Sequence, residues 1–461
     1  MNKIGVYGLG VMGSSLATNI FNHGFSLSVY NIEHEKSVCF AKDKAAVTAC
    51  KNVEEFVNSL EKPRSVILMV TAGKAVDDVI ASLLPYLEEN DCIIDCGNSF
   101  YLDSEKRQQE LKTKGIHLIG AGVSGGEKGA LLGPSIMPSG DAGAYQSVRE
   151  VLEAIAAHNS DGSSCCSYIG EKGSGHFVKM VHNGIEYAEM QPLADAYALL
   201  AHVYKNDQDK IQSVFDQYRS GVLKSYLVDI TADILKKQDT DDTYLIDHIL
   251  DVAKQKGTGK WVVQVSLDMG IAVPSIEQAV SSRFLSEQKD LRMTLDQKYG
   301  CMKEASPYVD LMKELEEALL FMKIMIYAQG FAFIQAVSQQ KEYGVNLHTL
   351  ASIWQEGCII KSEFLKELAQ IYEEQPDLKH LLLSEVMAKK VRNYESSARH
   401  VVAYAIKEGV SAPLMNSALQ YYDAIRCGNS TTSLIQAQRD YFGAHTYKRN
   451  DREGVFHTIW E

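Results

Sequence analysis

The first third of the chain alternates short apolar runs with amphipathic stretches. Apolar runs of four or five residues are typical of buried strands, and here each is followed by a segment with apolar residues at helical spacing. Such alternation favours a parallel sheet covered by helices on both faces, the doubly wound Rossmann-type α/β class. The predicted strands are 4–7, 27–30, 66–70, 92–95 and 118–121, and the clearest helices between them are 12–23, 74–86 and 104–114.

The pattern changes near residue 170, after which long helical segments dominate. Residues 176–203, 309–343 and 381–407 carry apolar residues at helical spacing, prolines are sparse, and continuous β-type runs are scarce. These features predict a large all-α domain that follows the α/β domain.

We therefore expect three parts, namely an α/β domain at 1–170, an all-helical domain at 171–435 and a short C-terminal tail at 436–461. Within the helical part, residues 215–227 resemble residues 353–365. This likeness indicates either an internal duplication or a chance similarity between amphipathic helices.

Composition narrows the class of protein. The 461 residues are 46% hydrophobic and 23% charged, which is ordinary for a globular protein and excludes a disordered or fibrous chain. A net charge of −13 argues against general binding to nucleic acid or anionic membranes, so an anionic ligand needs locally gathered positive charge.

Targeting signals are weak. Nine cysteines show no disulfide or zinc-site spacing, which favours reduced thiols and a cytoplasmic protein. Residues 3–12 also resemble a signal peptide, but three glycines interrupt their apolar run. We find no apolar run as long as a membrane span and no cluster of metal-ligand type.

A glycine motif follows the first predicted strand. Gly8, Gly10 and Gly13 form the pattern GxGxxG, which permits a tight turn, close approach of a pyrophosphate and close helix packing, in that order. The helix that begins there presents free N–H groups and its positive dipole end to phosphate. A ligand-free turn is the alternative, but the strand, motif and helix in register favour a dinucleotide site.

The segment after the second predicted strand indicates which dinucleotide binds. An acid at this place binds the ribose 2′-hydroxyl of NAD, whereas an arginine suits the 2′-phosphate of NADP. The sequence is Asn31-Ile32-Glu33, with no basic residue before Lys36. Glu33 is therefore a candidate ribose ligand, with an exposed loop carboxylate as the alternative.

A mixed polar stripe marks the start of the long helical part. Lys179, His182, Asn183, Glu186 and Tyr187 share one helix face. Such a stripe normally faces solvent, but this one combines five different functional groups instead of repeated Lys and Glu. An amine and a carboxylate on one face can act as base and acid, provided that burial or nearby cations lower the pKa of the lysine.

Three glycine-containing clusters are suited to anions. Residues 122–126 offer a hydroxyl and backbone N–H groups for a carboxylate, although a simple turn is the alternative. Residues 256–261 form a compact basic loop that is typical of phosphate binding but lacks Walker spacing. Residues 436–447 contain an arginine and a histidine and form a second candidate phosphate site.

Together these motifs closely resemble the decarboxylating 6-phosphogluconate dehydrogenase family, essentially from end to end. The related β-hydroxyacid dehydrogenases share the glycine motif, the Ser-Gly-Gly segment and a catalytic lysine. They are shorter, however, and lack the segments that correspond here to residues 256–261 and 436–447. A dehydrogenase of that kind and a non-catalytic NAD(P)-binding protein on the same fold are the alternatives. The matching segments are GLGVMG at 8–13, DCGNS at 95–99, GVSGGEKGALLGPSIMP at 122–138, GHFVKMVHNGIEY at 175–187, KGTGKW at 256–261 and QAQRDYFGAHTY at 436–447.

The resemblance implies a metal-independent, NADP-linked oxidative decarboxylation of 6-phosphogluconate in the pentose phosphate pathway and gluconate utilisation. It also implies a homodimer whose active sites share residues, with the tail reaching into the partner subunit. By the same resemblance, Lys179 is the general base, Glu186 is the acid that protonates the product carbon, and His182 and Asn183 orient the hydroxyl groups and the base.

The resemblance also assigns the binding residues. The expected substrate ligands are Asn98, Ser124, Gly125, Gly126, His182, Asn183, Tyr187, Lys256, Thr258, Arg283 and, from the partner subunit's tail, the residues equivalent to Arg439 and His445. The expected cofactor ligands are Gly8, Gly10, Val11, Met12, Gly13, Asn31, Ile32, Glu33, Val70, Thr71, Ala72 and Asn98.

Two departures from the family pattern concern the cofactor. Ile32 stands where the family has an arginine, and Thr71 stands at a second cationic position. Both cations help to hold a 2′-phosphate in the family. Although the resemblance implies NADP, these two positions predict use of NAD or of both cofactors.

Overall fold

A computed structural model describes residues 1–240, 242–255, 257–300 and 304–460. Its N-terminal part contains a sheet of seven strands, β1 (Ile4–Tyr7), β2 (Leu27–Tyr30), β3 (Val47–Ala49), β4 (Ser65–Leu68), β5 (Cys92–Asp95), β6 (His117–Ser124) and β7 (Ser135–Gly140). The strand order is β3-β2-β1-β4-β5-β6-β7, and all neighbours are parallel except β6 and β7. The predicted doubly wound fold is confirmed.

Three predicted strands, β1, β2 and β5, have the bounds expected from the sequence. Two strands were not predicted. β3 is only three residues long and partly exposed, and β7 contains Pro138, which is tolerated because β7 is an edge strand. Short edge strands lack the continuous apolar run that identifies a buried parallel strand.

Helices cover both faces of the sheet. Leu16 and Ile20 belong to one fully buried apolar layer, and Phe56 and Leu83 belong to the other. The helices are α1 (Val11–Asn22), α2 (His34–Ala41), α3 (Val53–Asn58), α4 (Lys74–Leu83), α5 (Tyr101–Lys112), α6 (Gly126–Leu132) and α7 (Ala142–Ile155).

The second part of the described chain is helical, as expected. Its helices are α8 (Ser174–Val203), α9 (Gln208–Ser220), α10 (Tyr226–Lys236), α11 (Thr258–Met269), α12 (Pro274–Ser286), α13 (Lys289–Tyr299), α14 (Leu311–Lys341), α15 (Leu347–Ile353), α16 (Glu363–Glu374), α17 (Glu385–Glu408), α18 (Pro413–Ile425) and α19 (Thr432–Gly443). The two longest helices, α8 and α14, pack against each other in a single large apolar core.

Buried polar side chains fix the ends of two helices in this core. The carboxyl group of Asp195, in the C-terminal third of α8, accepts hydrogen bonds from the backbone N–H groups of Leu414 and Met415 at 3.0 and 3.2 Å. Gln329 of α14 accepts one from Ser275 N at 2.9 Å. Both contacts satisfy N–H groups that the first turn of a helix leaves unpaired. Each central helix therefore holds the start of a shorter helix.

The two segments that resemble each other in sequence meet in space. Ser225 and Ser362 form an isolated antiparallel bridge, and Tyr226 N donates to Lys361 O at 3.1 Å. Each serine is also the residue before a helix, since α10 begins at Tyr226 and α16 at Glu363. The two similar segments therefore contact each other at the starts of corresponding helices, and an internal duplication stays a prediction.

Helix α14 is long and apolar enough to cross a membrane by length and composition, with a mean hydropathy of 1.5 in its most apolar window. The protein buries 72% of that window inside the helical core. Burial of this extent is what a core helix of a large domain shows.

Helix α8 approaches the sheet with almost no side chains between the two backbones. A Cβ atom on Gly175 of α8 would lie 2.1 Å from Met137 O, and one on Gly122 of β6 would lie 2.4 Å from Cβ of Lys179. Neither position therefore has room for a side chain. Their close contact places the polar stripe of α8 directly beside the carboxyl end of β6.

Candidate active site

The glycine motif has the geometry of a phosphate cradle. Gly8 has φ of +101°, and a Cβ on it would lie 2.6 Å from Met69 O, while one on Gly13 would lie 2.0 Å from Gly8 O. A Cβ on Gly10 would instead point into open space. Helix α1 begins after Gly10 with no side-chain cap and no acidic residue in its first turn. Its free N–H groups therefore suit an anion, and the residues present fit a dinucleotide.

A cavity of about 940 Å³ connects this cradle to the polar stripe of α8. At one end it is bounded by the glycine motif, and at the other by Asn183, Glu186, Tyr187 and Thr258. Such a volume is typical of a small-molecule site. The lining includes these expected cofactor residues: Gly8, Gly10, Val11, Met12, Gly13, Asn31, Ile32, Val70, Thr71, Ala72 and Asn98.

Glu33 is placed differently from the other expected cofactor ligands. It precedes helix α2, and its carboxylate pairs with Lys36 at 2.5 Å. Lys74, the nearest basic residue after Thr71, pairs with Asp78 at 2.6 Å. The two nearby cations thus have acidic partners, while the Ile32 side chain is 81% exposed at the cavity wall.

The polar stripe of α8 forms a hydrogen-bonded cluster. Lys179 Nζ donates to Asn183 Oδ1 at 2.8 Å and lies 3.3 Å from His182 Nδ1. Ser124 Oγ and His182 Nε2 share a hydrogen bond of 3.2 Å, and Asn183 Nδ2 donates to Thr258 Oγ1 at 3.2 Å. Four of the expected substrate and catalytic residues are thereby joined to the expected base. Of the stripe, Lys179, His182, Asn183 and Tyr187 are buried and Glu186 is partly exposed, so the stripe does not face bulk solvent as a whole.

Burial sets the protonation of this cluster. Desolvation lowers the pKa of Lys179, against the opposing field of Glu186, and the same burial raises the pKa of Glu186, against Lys179 and Arg283. Burial and the neighbouring lysine charge lower the pKa of His182 well below its usual value. The amine is thus easier to deprotonate and the carboxyl easier to protonate than either is in water, as an acid–base pair requires.

The expected phosphate ligands form a second group beside the acid. The guanidinium of Arg283 lies 3.6 Å from the ring centroid of Tyr187, and it also donates to the backbone oxygen of Lys254 at 3.3 Å. Helix α11 begins at Thr258 and packs on the same ring, since a Cβ on Gly259 would lie 2.5 Å from it. Lys256, the remaining member of this group, lies outside the described residues.

The Ser-Gly-Gly segment is held from the helical domain. Gly125 has φ of +114°, and a Cβ on it would lie 2.5 Å from the backbone oxygen of Gly357. Gly126 begins helix α6 and has open space beside it. Trp354 packs its ring edge-on against His182, with centroids 5.3 Å apart. The loop that contains Trp354 and Gly357 was not expected at the site, because only the fold brings it there.

A buried carboxylate at the end of β5 orders the loop of Asn98. Asp95 accepts hydrogen bonds from Gly97 N at 3.0 Å and Ser99 Oγ at 2.6 Å. Arg107 lies 3.8 Å from Asp95 and donates to Gly73 O at 3.0 Å, so it connects the loops that follow β4 and β5. The motif DCGNS was visible in the sequence, but the partner from α5 was not.

The tail residues stay away from this cavity within one chain. Arg439 and His445 are exposed, Arg439 donates to Gln436 at 3.0 Å, and the His445 ring packs against Phe442. This placement is compatible with their expected role in a partner's site. Among the described residues, no group of three or more His, Cys, Asp or Glu side chains is arranged to hold a metal ion.

Family models match nearly the whole chain. Residues 3–170 match the NAD binding domain of 6-phosphogluconate dehydrogenase, and residues 175–460 match the 6-phosphogluconate dehydrogenase C-terminal domain. A solved Plasmodium falciparum 6-phosphogluconate dehydrogenase, studied with NADP+ and with 6-phosphogluconate, superposes with a TM-score of 0.96 at 40% identity, over 99% of this chain and 100% of that one.

Curated relatives extend over the same length. A decarboxylating 6-phosphogluconate dehydrogenase of Staphylococcus aureus is 46% identical over 99% of each chain. Two Bacillus subtilis enzymes, described as NADP(+)-dependent and NAD(+)-dependent, are 47% and 46% identical over at least 99% of each chain. The chain belongs to the 6-phosphogluconate dehydrogenase family.

Proposed function

We propose that this chain oxidises and decarboxylates 6-phosphogluconate to ribulose 5-phosphate and CO₂, with a nicotinamide dinucleotide as hydride acceptor. One observation carries the proposal: a single cavity connects the phosphate cradle of Gly8–Gly13 to Glu186 and Asn183, beside the buried amine of Lys179. Oxidation and proton transfer can therefore occur in one cavity.

The first chemical step needs a base near the hydroxyl on C3 of the substrate. Burial lowers the pKa of Lys179, which makes its neutral amine accessible as that base. Asn183 Oδ1 holds the amine at 2.8 Å and fixes the direction of its lone pair or its proton. When bound, the nicotinamide accepts the hydride that leaves C3.

The second step is loss of CO₂ from the resulting 3-keto acid. The ammonium of Lys179, having taken up the proton, donates to the 3-keto oxygen and stabilises the negative charge that develops there. Glu186, whose pKa is raised by burial, then protonates the carbon that becomes C1 of the product. A β-keto acid whose carbonyl is polarised in this way needs no metal ion.

The same proposal assigns the binding residues. Ser124, Gly125 and Gly126 hold the carboxylate end, Asn98 lies near the nicotinamide and the sugar, and His182 orients the hydroxyl groups. Tyr187, Thr258, Arg283 and Lys256 hold the phosphate, together with Arg439 and His445 of a partner subunit. The Arg283–Tyr187 contact and the Asn183–Thr258 hydrogen bond support this division of roles.

We also propose that residues 1–170 bind the dinucleotide, residues 171–435 bind the substrate and form the dimer, and residues 436–461 reach the partner's site. The enzyme then acts as a cytoplasmic homodimer. The eight cysteines in the described part of the chain are all free thiols, which suits a reducing compartment. Exposed apolar residues on α19, such as Leu434 and Phe442, support burial of the tail against another subunit.

For the cofactor, we propose NAD or dual use. The supporting observation is the wall near Ile32 and Thr71, where the nearby cations Lys36 and Lys74 each pair with an acid of their own segment. Curated relatives of nearly equal identity include one NADP-dependent and one NAD-dependent enzyme, so overall similarity does not decide between the two cofactors.

The direct test incubates the purified protein with 6-phosphogluconate and either NAD or NADP, and measures reduced cofactor and CO₂. We expect equal amounts of both products, and no turnover with Lys179→Met although that variant still binds the cofactor. Gluconate, which lacks the phosphate, should be a far poorer substrate. Reduction without CO₂, or equal rates with gluconate, would instead favour a β-hydroxyacid dehydrogenase.

A further inference from the structure

The C-terminal tail contains one fully buried carboxylate in otherwise exposed surroundings. Asp440 is the only buried residue of helix α19. Its Oδ1 accepts hydrogen bonds from Thr446 N and His457 Nδ1, both at 2.9 Å. Its Oδ2 accepts from Thr458 N and Trp460 Nε1, both at 3.0 Å. Four donors from residues 446–460 therefore converge on one side chain.

The charge of Asp440 is well matched to these donors. Burial alone would raise the pKa of this carboxyl, but the N–H donors and the His457 ring outweigh burial and lower it to about 2. The ionised carboxylate accepts hydrogen bonds at both oxygens and donates none. An amide in its place would turn an NH₂ group toward some of these donors.

The turn that Asp440 holds is strained, and it contains His445. Ala444 and Thr446, on either side of His445, have φ of +50° and +58°, in the left-handed region that residues other than glycine rarely adopt. The backbone oxygen of Asp440 accepts from Ala444 N at 2.9 Å, while its side chain accepts from Thr446 N. Strain of this kind persists only where surrounding contacts enforce it, and it concentrates at functional sites.

A second side chain connects the same turn to Arg439. Gln436 Oε1 accepts from Arg439 at 3.0 Å, and Gln436 Nε2 donates to Thr446 O at 2.5 Å. Thr446 is thus held at its N–H by Asp440 and at its carbonyl by Gln436. Arg439 has Gln436 as its hydrogen-bond partner and forms no ion pair with any residue that the structure describes.

We propose that Asp440 is a positioning residue, which folds residues 444–460 back on α19 and so presets Arg439 and His445 for the substrate phosphate in the partner subunit's site. This inference rests on the proposed function and its shared active site. Preset ligands lose less conformational entropy on binding, so the effect falls on substrate affinity and not on the chemical step.

The primary test is Asp440→Asn, measured by steady-state kinetics in a preparation shown to be dimeric. We expect the KM for 6-phosphogluconate to rise at least tenfold, with kcat changed less than threefold and the KM for the cofactor unchanged. The matched control is Asp451→Asn, which removes another tail carboxylate whose described partner is the exposed side chain of Arg449. It should leave all three constants unchanged.

Two further variants separate positioning from general stability. Trp460→Phe keeps an aromatic ring but removes one donor to Asp440, and should raise the same KM by a smaller factor. Arg439→Ala combined with Asp440→Asn should raise KM by much less than the product of the two single effects, because both act on the same contact. Multiplicative effects would overturn the proposal.

Mixed dimers test whether the tail acts on the neighbouring site. Lys179→Met subunits have an intact tail and Asp440→Asn subunits have an intact base, so a mixed dimer contains one complete site. Because Asp440→Asn keeps most of its kcat, the readout is the KM: mixing should produce a component of turnover with the wild-type KM, which neither homodimer shows. Absence of that low-KM component, a parallel loss of kcat in Asp440→Asn, or dissociation of the Asp440→Asn dimer would overturn the positioning role. If instead the wild type does not turn over 6-phosphogluconate, the proposed function itself fails.

Discussion

Replacing Ile32 with arginine is expected to shift the enzyme toward NADP. The Ile32 side chain is 81% exposed at the cavity wall, so its loss removes no core packing. A charge-assisted hydrogen bond to a 2′-phosphate is worth about 1.5–3 kcal/mol. Because solvent screens a charge at this exposed position and the neighbouring carboxylate of Glu33 repels a phosphate, we take the lower figure. About 1.5 kcal/mol corresponds to roughly a tenfold change in affinity.

The assay compares kcat/KM for NADP and for NAD at saturating 6-phosphogluconate. In Ile32→Arg, the ratio of the two should rise about tenfold, through a lower KM for NADP at nearly constant kcat. Val38→Arg is the matched control, because Val38 is an exposed apolar residue of α2 that does not line the cavity. An unchanged ratio in Ile32→Arg, or a wild type that already strongly prefers NADP, would refute the reasoning.

The remaining predictions concern the glycine motif, the base and one buried cap. Gly10→Ala should raise the KM for the cofactor without lowering the melting temperature, because its Cβ meets no protein atom. Gly13→Ala should lower the melting temperature, because its Cβ would lie 2.0 Å from Gly8 O. Thermal melts and cofactor titrations check both variants. If the neutral amine of Lys179 is the base, as proposed, the lowering of its pKa by burial means that kcat/KM should rise with pH and level off below pH 10.5. A rise that continues past that value would contradict the proposed role. Asp195→Ala should lower the unfolding free energy by about 2 kcal/mol or more, because two buried N–H groups lose their acceptor, while the KM values stay unchanged. Denaturant titration measures the loss, with Asp195→Asn, which keeps an acceptor oxygen, as the comparison.

The sequence was sufficient for the fold class and for most of the cavity. Strands β1, β2 and β5 were predictable because a buried parallel strand leaves an uninterrupted apolar run. The glycine motif and the polar stripe of α8 were predictable because both have a fixed spacing that places their residues together. The internal likeness in the helical part could be noticed from the sequence, but the pairing of Ser225 with Ser362 could not be predicted from it.

Contacts between distant segments account for what was missed. Arg107, Trp354 and Gly357 support the site from helices and loops whose local sequence carries no sign of that role. Asp440 is the clearest case, because it stands in a recognisable motif while the donors that give it a role come from residues 446–460. No periodicity connects such residues, since only tertiary folding brings them within hydrogen-bond distance.

The glycine contact between α8 and β6 has a mechanical consequence. Backbones in direct contact cannot slide past each other without a clash. The contacts at Gly122 and Gly175 therefore hold Lys179 in a fixed position relative to the sheet. Residues at Ile32 and Thr71 lie on surface loops at the opposite end of the cavity, outside this rigid joint. Coenzyme preference can therefore change during evolution while the reacting atoms keep their alignment. Such separable parts would produce relatives of nearly equal similarity that differ in their use of NAD or NADP.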